Sequence, residues 1–207
     1  NGIRVGDGGR LEFCGAEANG SYGIQAGTQA SVSRCTASGN TNAGIHLDLG
    51  AVATSCTAQA NGSDGIAALG AGCVVIGCSA ISNRNDGISV GPGAVVRDCV
   101  ARQNLDSGIF VGLGGGGLVV NNECTGNGGG SSDAGIHLQG SCRADGNHVV
   151  ANNPYGIITT SSGSVVIRNT ATANTNGYNF AAGTTYGPIQ TGTGAITNLN
   201  PWANFSY

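Results

Sequence analysis

Lysine is absent from this 207-residue chain; the eight basic residues are all arginines, and eleven carboxylates outweigh them to a formal net charge of -3. The electrostatic footprint of a nucleic-acid binder is missing, so nucleic acid is not expected as a partner. Charge of either sign is scarce, at 9% of residues. No apolar run approaches the ~18 residues that span a membrane, so no membrane partner is expected either. No leader segment opens the chain, which starts at "NGIRVGDGG" in mid-pattern and reads as a mature or trimmed piece. A sustained 3.6-residue helical period is lacking, and so is any C-x-x-C pair of the kind that builds a zinc site.

What is present is glycine, 39 residues of it, with many Asn, Ser, Thr, Ala and Val, the composition of a turn-rich β protein. The pair Gly-Ile recurs at Gly2, Gly23, Gly44, Gly65, Gly87, Gly108, Gly135 and Gly156, followed by Gly177-Tyr178, in steps of 21, 21, 21, 22, 21, 27, 21 and 21 residues. Cys14, Cys35, Cys56, Cys78 and Cys99 follow their glycines by 12 or 13 residues, with Asn147 and Asn169 at that place in later units. Five residues further on stand Asn19, Asn40, Asn61, Asn83, Asn104, Asn152 and Asn174.

Three marks in register predict an all-β solenoid of eight to nine coils of about 21 residues, each with about three short strands, stacked at the parallel spacing of ~4.8 Å. The isoleucines then form an inward ladder, the glycines fit tight corners, and the asparagine amides bond along the stack. The cysteines form a second, reduced ladder of small apolar side chains. Cys73 and Cys142 fall off that ladder and Cys124 is displaced by an insertion, so these three are expected to be the exposed thiols.

The 21 to 22-residue coil, the "NTNAGI" and "NGSDGI" corners and the asparagine ladder resemble the right-handed parallel β-helix repeat family, the pectate-lyase-like superfamily, over residues 1–177. The resemblance implies a right-handed, single-stranded parallel β-helix. Its functions range over lyases, hydrolases, epimerases, phage depolymerases and adhesins, so function must be argued from side chains. Residues 178–207 leave the period and hold six of the ten aromatic residues, as expected of a C-terminal cap. No matching cap precedes Gly2, which makes end-to-end self-association an expectation.

The residue two after each glycine should face outward, giving Arg4, Gln25 and His46 in the first three coils. His46 and Asp48 lie two apart on one strand and should both point to solvent, where a carboxylate beside an imidazole could serve acid-base catalysis. The motifs "GHG" and "DPH" are absent, and Arg4 is two coils from His46. Asp64 and Asp86 precede glycines in adjacent coils. Asp-Gly is first a turn dipeptide, and second a row that calcium would neutralise; no other cofactor is expected. The expected binding residues are Arg4, Gln25, His46, Asp48, Asp64 and Asp86, with His46 and Asp48 the catalytic candidates. The leading expectation is a secreted or cell-surface module with a structural or polysaccharide-binding role. The alternative is a polysaccharide lyase, glycoside hydrolase or epimerase acting along the sheet face.

Overall fold

The computed structural model describes residues 1–207 apart from Leu113 and Thr193. The chain is all-β, a right-handed parallel β-helix of about nine turns whose strands form three parallel sheets. Sheet A has nine strands: Ile3–Val5, Ile24–Ala26, Ile45–Leu47, Ile66–Ala68, Ile88–Val90, Ile109–Val111, Ala134–Leu138, Tyr155–Thr159 and Asn176–Phe180. Sheet B runs from Arg10–Glu12 to Thr185–Tyr186, and sheet C from Gly15–Glu17 through Thr170–Thr172 to Asn204–Ser206 and Ile189–Thr191.

Each coil visits A, B and C once, and the register is the one the Gly-Ile period predicts. Ile3 pairs with Ile24, Ile24 with Ile45, Ile45 with Ile66 and Ile66 with Ile88. From Ile24 to Ile157 this column is fully buried. No single coil encloses an interior, so the apolar burial that stabilises the fold exists only between neighbouring turns.

The glycine before each isoleucine is required by crowding rather than by backbone sign. At Gly44 a Cβ would lie 2.5 Å from the Asn61 Nδ2 and 2.8 Å from the Gly65 carbonyl oxygen. The Gly-Ile and asparagine marks are thus two sides of one contact. The asparagines do not occupy the left-handed region either; that conformation falls on the residue before, at Gly39, Ala60, Ser82 and Gln103. In each rung Oδ1 accepts the backbone N–H and the Nδ2–H of the preceding rung, as Asn83 does for Asn61 at 3.1 and 3.0 Å. Asn83 Nδ2 in turn donates to Asn104 Oδ1 and to the Ala58 carbonyl. The ladder includes Asn127, a rung the 27-residue spacing hides.

The cysteine ladder at the corner between sheets B and C is hydrogen-bonded, not merely apolar. Each Sγ accepts the N–H of the preceding rung at 3.4 to 3.5 Å, from Cys14–Cys35 up to Cys78–Cys99, and donates to the carbonyl two residues back. Asn122, Asn147, Asn169 and Asn204 continue the column with the same pattern. Cysteine here does what asparagine does, through weaker bonds.

The expected exposure of Cys73, Cys124 and Cys142 is overturned: all three are buried, and Cys14 is the one partly exposed thiol. Cys124 sits mid-strand in sheet C in register with Ala101 and Val149, an inward column of small residues. Cys73 and Cys142 enter sheet B at the inward corner position that Ala51 and Ala94 fill in other coils.

The six extra residues of the sixth coil divide between two corners, 112–117 and 126–135, and the strands on either side keep register. The ninth coil begins at Tyr178, which pairs with Ile157. Its hydroxyl donates to the carbonyls of Asn169 and Phe205, tying the tail down. Asp145, nearly buried, binds Arg143 and Arg168, and Arg168 lies over the Trp202 ring at 5.3 Å. The two guanidiniums hold the Asp145 carboxyl below its ordinary range, Arg168 foremost.

Candidate functional site

The outer face of sheet A positions the candidate residues. A strand alternates its side chains, so with Ile45 and Leu47 buried, His46 must point outward. Its ring is not left in solvent, however. Tyr22, in the corner of the preceding coil, stacks on the imidazole with centroids 4.7 Å apart and planes at 17°. His46 Nε2 lies 3.3 Å from Asp48 Oδ1, and the side chains are 17% and 46% exposed. The expectation that both point freely to solvent is therefore corrected for His46, which is held between ring and carboxylate. Nδ1 is buried with no hydrogen-bond partner among the described residues.

Tyr22 is the site residue that sequence reasoning missed. Its signal was position: it occupies the place before Gly23 that Asp64 and Asp86 occupy before their own glycines.

Asp64 and Asp86 follow in that corner column. Asp64 Oδ1 accepts the Asn85 amide and, at 3.2 Å, the Asp86 N–H. Asp86 Oδ1 accepts the Ser107 N–H at 3.0 Å. Burial pushes both carboxyls up, Asp86 to about 8, with Asp64, Asp106 and Asp133 adding repulsion. Both act first as corner hydrogen-bond acceptors. Among the described residues, no three His, Cys, Asp or Glu side chains converge as metal ligands.

Arg4 and Gln25 lie on the same face in the first two coils; Gln25 accepts a bond from Asn1 at 2.6 Å and stands in register beside His46, with Arg4 one strand further out. Beyond His46 the face drops to Ala67 and Ser89, both nearly buried, and rises again at Phe110, whose ring meets His137 edge-on at 5.1 Å. Burial lowers the His137 imidazole below its ordinary value, and Nε2 lies 3.3 Å from Thr160 Oγ1. The outward column thus runs from ring through two small residues to ring, with the two ring clusters about 14 Å apart across three coil steps. Its floor is small and its edge carries carboxylates.

No curated protein sequence matches the chain significantly. Several solved structures share its fold. The A-module of Azotobacter vinelandii mannuronan C-5 epimerase AlgE4 superposes with a TM-score of 0.78 at 19% identity, over 88% of this chain and 57% of that one. Pectate lyase Pel9A gives 0.55 at 18%, over 79% and 54%. The Dettilon tailspike protein gp208 gives 0.55 at 14%, over 91% and 49%. The chain thus spans about half the length of these proteins. At such identities the likeness establishes the fold, one shared by polysaccharide-active enzymes and a tailspike. Residues 49–194 match the sequence family described as right-handed β-helix region. That match covers well over half of the chain, which therefore belongs to the right-handed β-helix family.

Proposed function

We propose that this chain is a glycan-facing module, secreted or displayed at a cell surface, whose outer sheet A face receives an extended polysaccharide. The observation that carries the reading is the profile of that face: the Tyr22–His46 stack and the Phe110–His137 pair stand at either end of the low floor at Ala67 and Ser89. Flat rings offer apolar platforms to sugar faces, while the exposed Asp48 carboxylate offers an acceptor to sugar hydroxyls. The names of the structural neighbours, one an epimerase of mannuronan and one a pectate lyase, support a glycan as the ligand of this chain.

The test is a panel of neutral and acidic polysaccharides, with and without calcium, scored by calorimetry against Tyr22→Ala and against Ser89→Tyr, which fills the floor. Binding that both variants weaken at least tenfold supports the proposal. Binding indifferent to both, or no binding across the panel, overturns it.

A second reading, a lyase or epimerase, is favoured by one observation, the 3.3 Å approach of Asp48 to His46 Nε2. With Nε2 carrying the proton toward Asp48, Nδ1 is the free base that would take a proton from carbon, and Tyr22 supplies a nearby hydroxyl. Nδ1 is covered, which is why binding comes first. Unsaturated uronate products, or solvent isotope entering the sugar, both abolished by His46→Ala, would promote the enzyme reading over the first.

A further inference from the structure

We propose that the outer face of sheet B binds an anionic amphiphile, its carboxylate held by Arg143 and Arg168 and its apolar chain laid along the column Leu118, Val95 and Val74. This face is on a different side of the solenoid from the sheet A column. Its strands have paired neighbours on both sides, so it owes nothing to either end of the shaft.

The head site starts from one carboxylate shared by two cations. Arg143 and Asp145 stand two apart on one strand and point outward together, while Arg168 comes from the corner that follows the next strand, Val165–Ile167. Arg168 takes the carboxylate with both arms of its fork, Nε to Oδ1 at 2.7 Å and Nη2 to Oδ2 at 2.5 Å. Arg143 brings Nε and Nη2 to Oδ2 at 3.2 and 2.8 Å. Asp145 is thereby sunk, its side chain 7% exposed, whereas the two arginines remain 44% and 49% exposed.

A guanidinium carries five N–H donors, and each of these two spends a pair on Asp145 and meets no other acceptor among the described residues. One positive charge is left over. Among the outward strand positions of sheet B from Ser31 to Ile167, Asp145 is the one carboxylate, so no neighbour on that face cancels it. Planar forks with unspent donors match a second carboxylate.

The surroundings say what that carboxylate should be attached to. Leu118 and Val165 lie in register with Arg143, and Val120 and Ile167 with Asp145. From Leu118 the outward column continues through Val95 and Val74 to Val52, three coil steps or about 14 Å, each member half-buried by its neighbours. The equivalent column of sheet C holds Glu123, Val100, Ser79 and Thr57 in the same coils, so the aliphatic strip belongs to sheet B alone. A charge at the end of such a low-dielectric strip acts more strongly than one in open water. A sugar chain would present hydroxyls to valines that give them no partner, and a second copy of this face would bring arginines of its own.

Sodium decanoate, kept below its micelle-forming concentration, is the probe. Acetate supplies the head alone, and uncharged decyl maltoside the same chain without the carboxylate. Calorimetry on the whole chain is expected to show decanoate binding roughly tenfold or more tighter than either. The methyl signals of Leu118 and Val95 should shift in NMR spectra as it binds. Arg143→Gln, which leaves Asp145 its two bonds from Arg168, and Leu118→Ser should each weaken decanoate roughly tenfold. Both side chains point outward, and thermal unfolding midpoints check the fold of each variant. Should either unfold, Arg143→Lys and Leu118→Thr are to show the same loss in smaller measure. Acetate binding as well as decanoate would mean an adventitious ion only. Decyl maltoside binding as well would mean an apolar patch without a head site. Either result, decanoate binding that the variants leave unchanged, or no binding at all overturns the proposal.

Discussion

Cys99 lies one coil beneath Asn122, and its backbone N–H donates to the Asn122 Oδ1 at 2.9 Å, where every earlier rung of the column donates to sulfur. This is the junction at which one column changes its chemistry without changing its geometry.

Cys99→Asn should extend the asparagine ladder by one rung, its Oδ1 taking the Cys78 N–H and its Nδ2 reaching the Val75 carbonyl that Cys99 Sγ now contacts. Urea unfolding is expected to show no loss and up to about 1 kcal/mol of gain, because a neutral amide bond replaces a weaker one to sulfur. Cys99→Ala should lose about 1 to 2 kcal/mol by leaving the Cys78 N–H without a partner.

Thiol titration offers a second check. Seven of the eight cysteines are buried and Cys14 is half-exposed. A colorimetric disulfide reagent should react with one thiol in the native protein and eight in denaturant, and Cys14→Ser should remove the native signal. Several thiols reacting at native rates would contradict the inward placement of Cys73, Cys124 and Cys142.

Removing a middle rung of the asparagine ladder should be far more damaging than its size suggests. Asn83 is fully buried and serves the Asn61 N–H, the Asn61 amide, the Asn104 Oδ1 and the Ala58 carbonyl. Asn83→Ala is expected to cost about 3 kcal/mol or more, since each buried group left unpaired costs about 1 to 3 kcal/mol. The same substitution at half-exposed Asn19 should cost less, and chemical denaturation compares the two.

Asp86 predicts an unusual pH profile. Its carboxyl is pushed to about 8 in the folded chain by burial first and by Asp64, Asp106 and Asp133 next, above its value in the unfolded chain. The sign follows from linkage: stability is complete below the ordinary carboxylate range, near pH 4, and declines as pH rises through about 8. Asp64, also raised, adds in the same direction. Asp145, lowered by its arginines, works oppositely and loses its contribution as pH falls below the ordinary range. The thermal midpoint should fall as pH rises from about 4 to about 8 and level off above that. Asp86→Asn, which keeps the acceptor for the Ser107 N–H, should flatten that fall. A midpoint independent of pH in that window would refute the assignment.

The solenoid could be read from sequence because its marks are periodic and each has one physical cause. Ile24, Ile45 and Ile66 stack as the spacing requires, and the asparagine amides bond as expected. What failed was whatever depended on counting through an insertion or on side-chain direction. Cys124 and Asn127 look displaced when counted from Gly108, yet both are in register, because the extra residues leave at corners on either side of them. The pairing of His46 with Asp48 follows from alternation along one strand. The stacking of Tyr22 on His46 does not, because it joins two coils through a corner side chain that lies off the strand.

The sixth coil carries one consequence beyond its own architecture. Its surplus residues leave the shaft at two corners while Val96 still meets Val119 and Ile109 still meets Ile136. Pitch is therefore indifferent to how much polypeptide a bend contains. New segments can accumulate at such bends, and a receptor surface can be diversified there, while the spacing between existing rungs remains fixed.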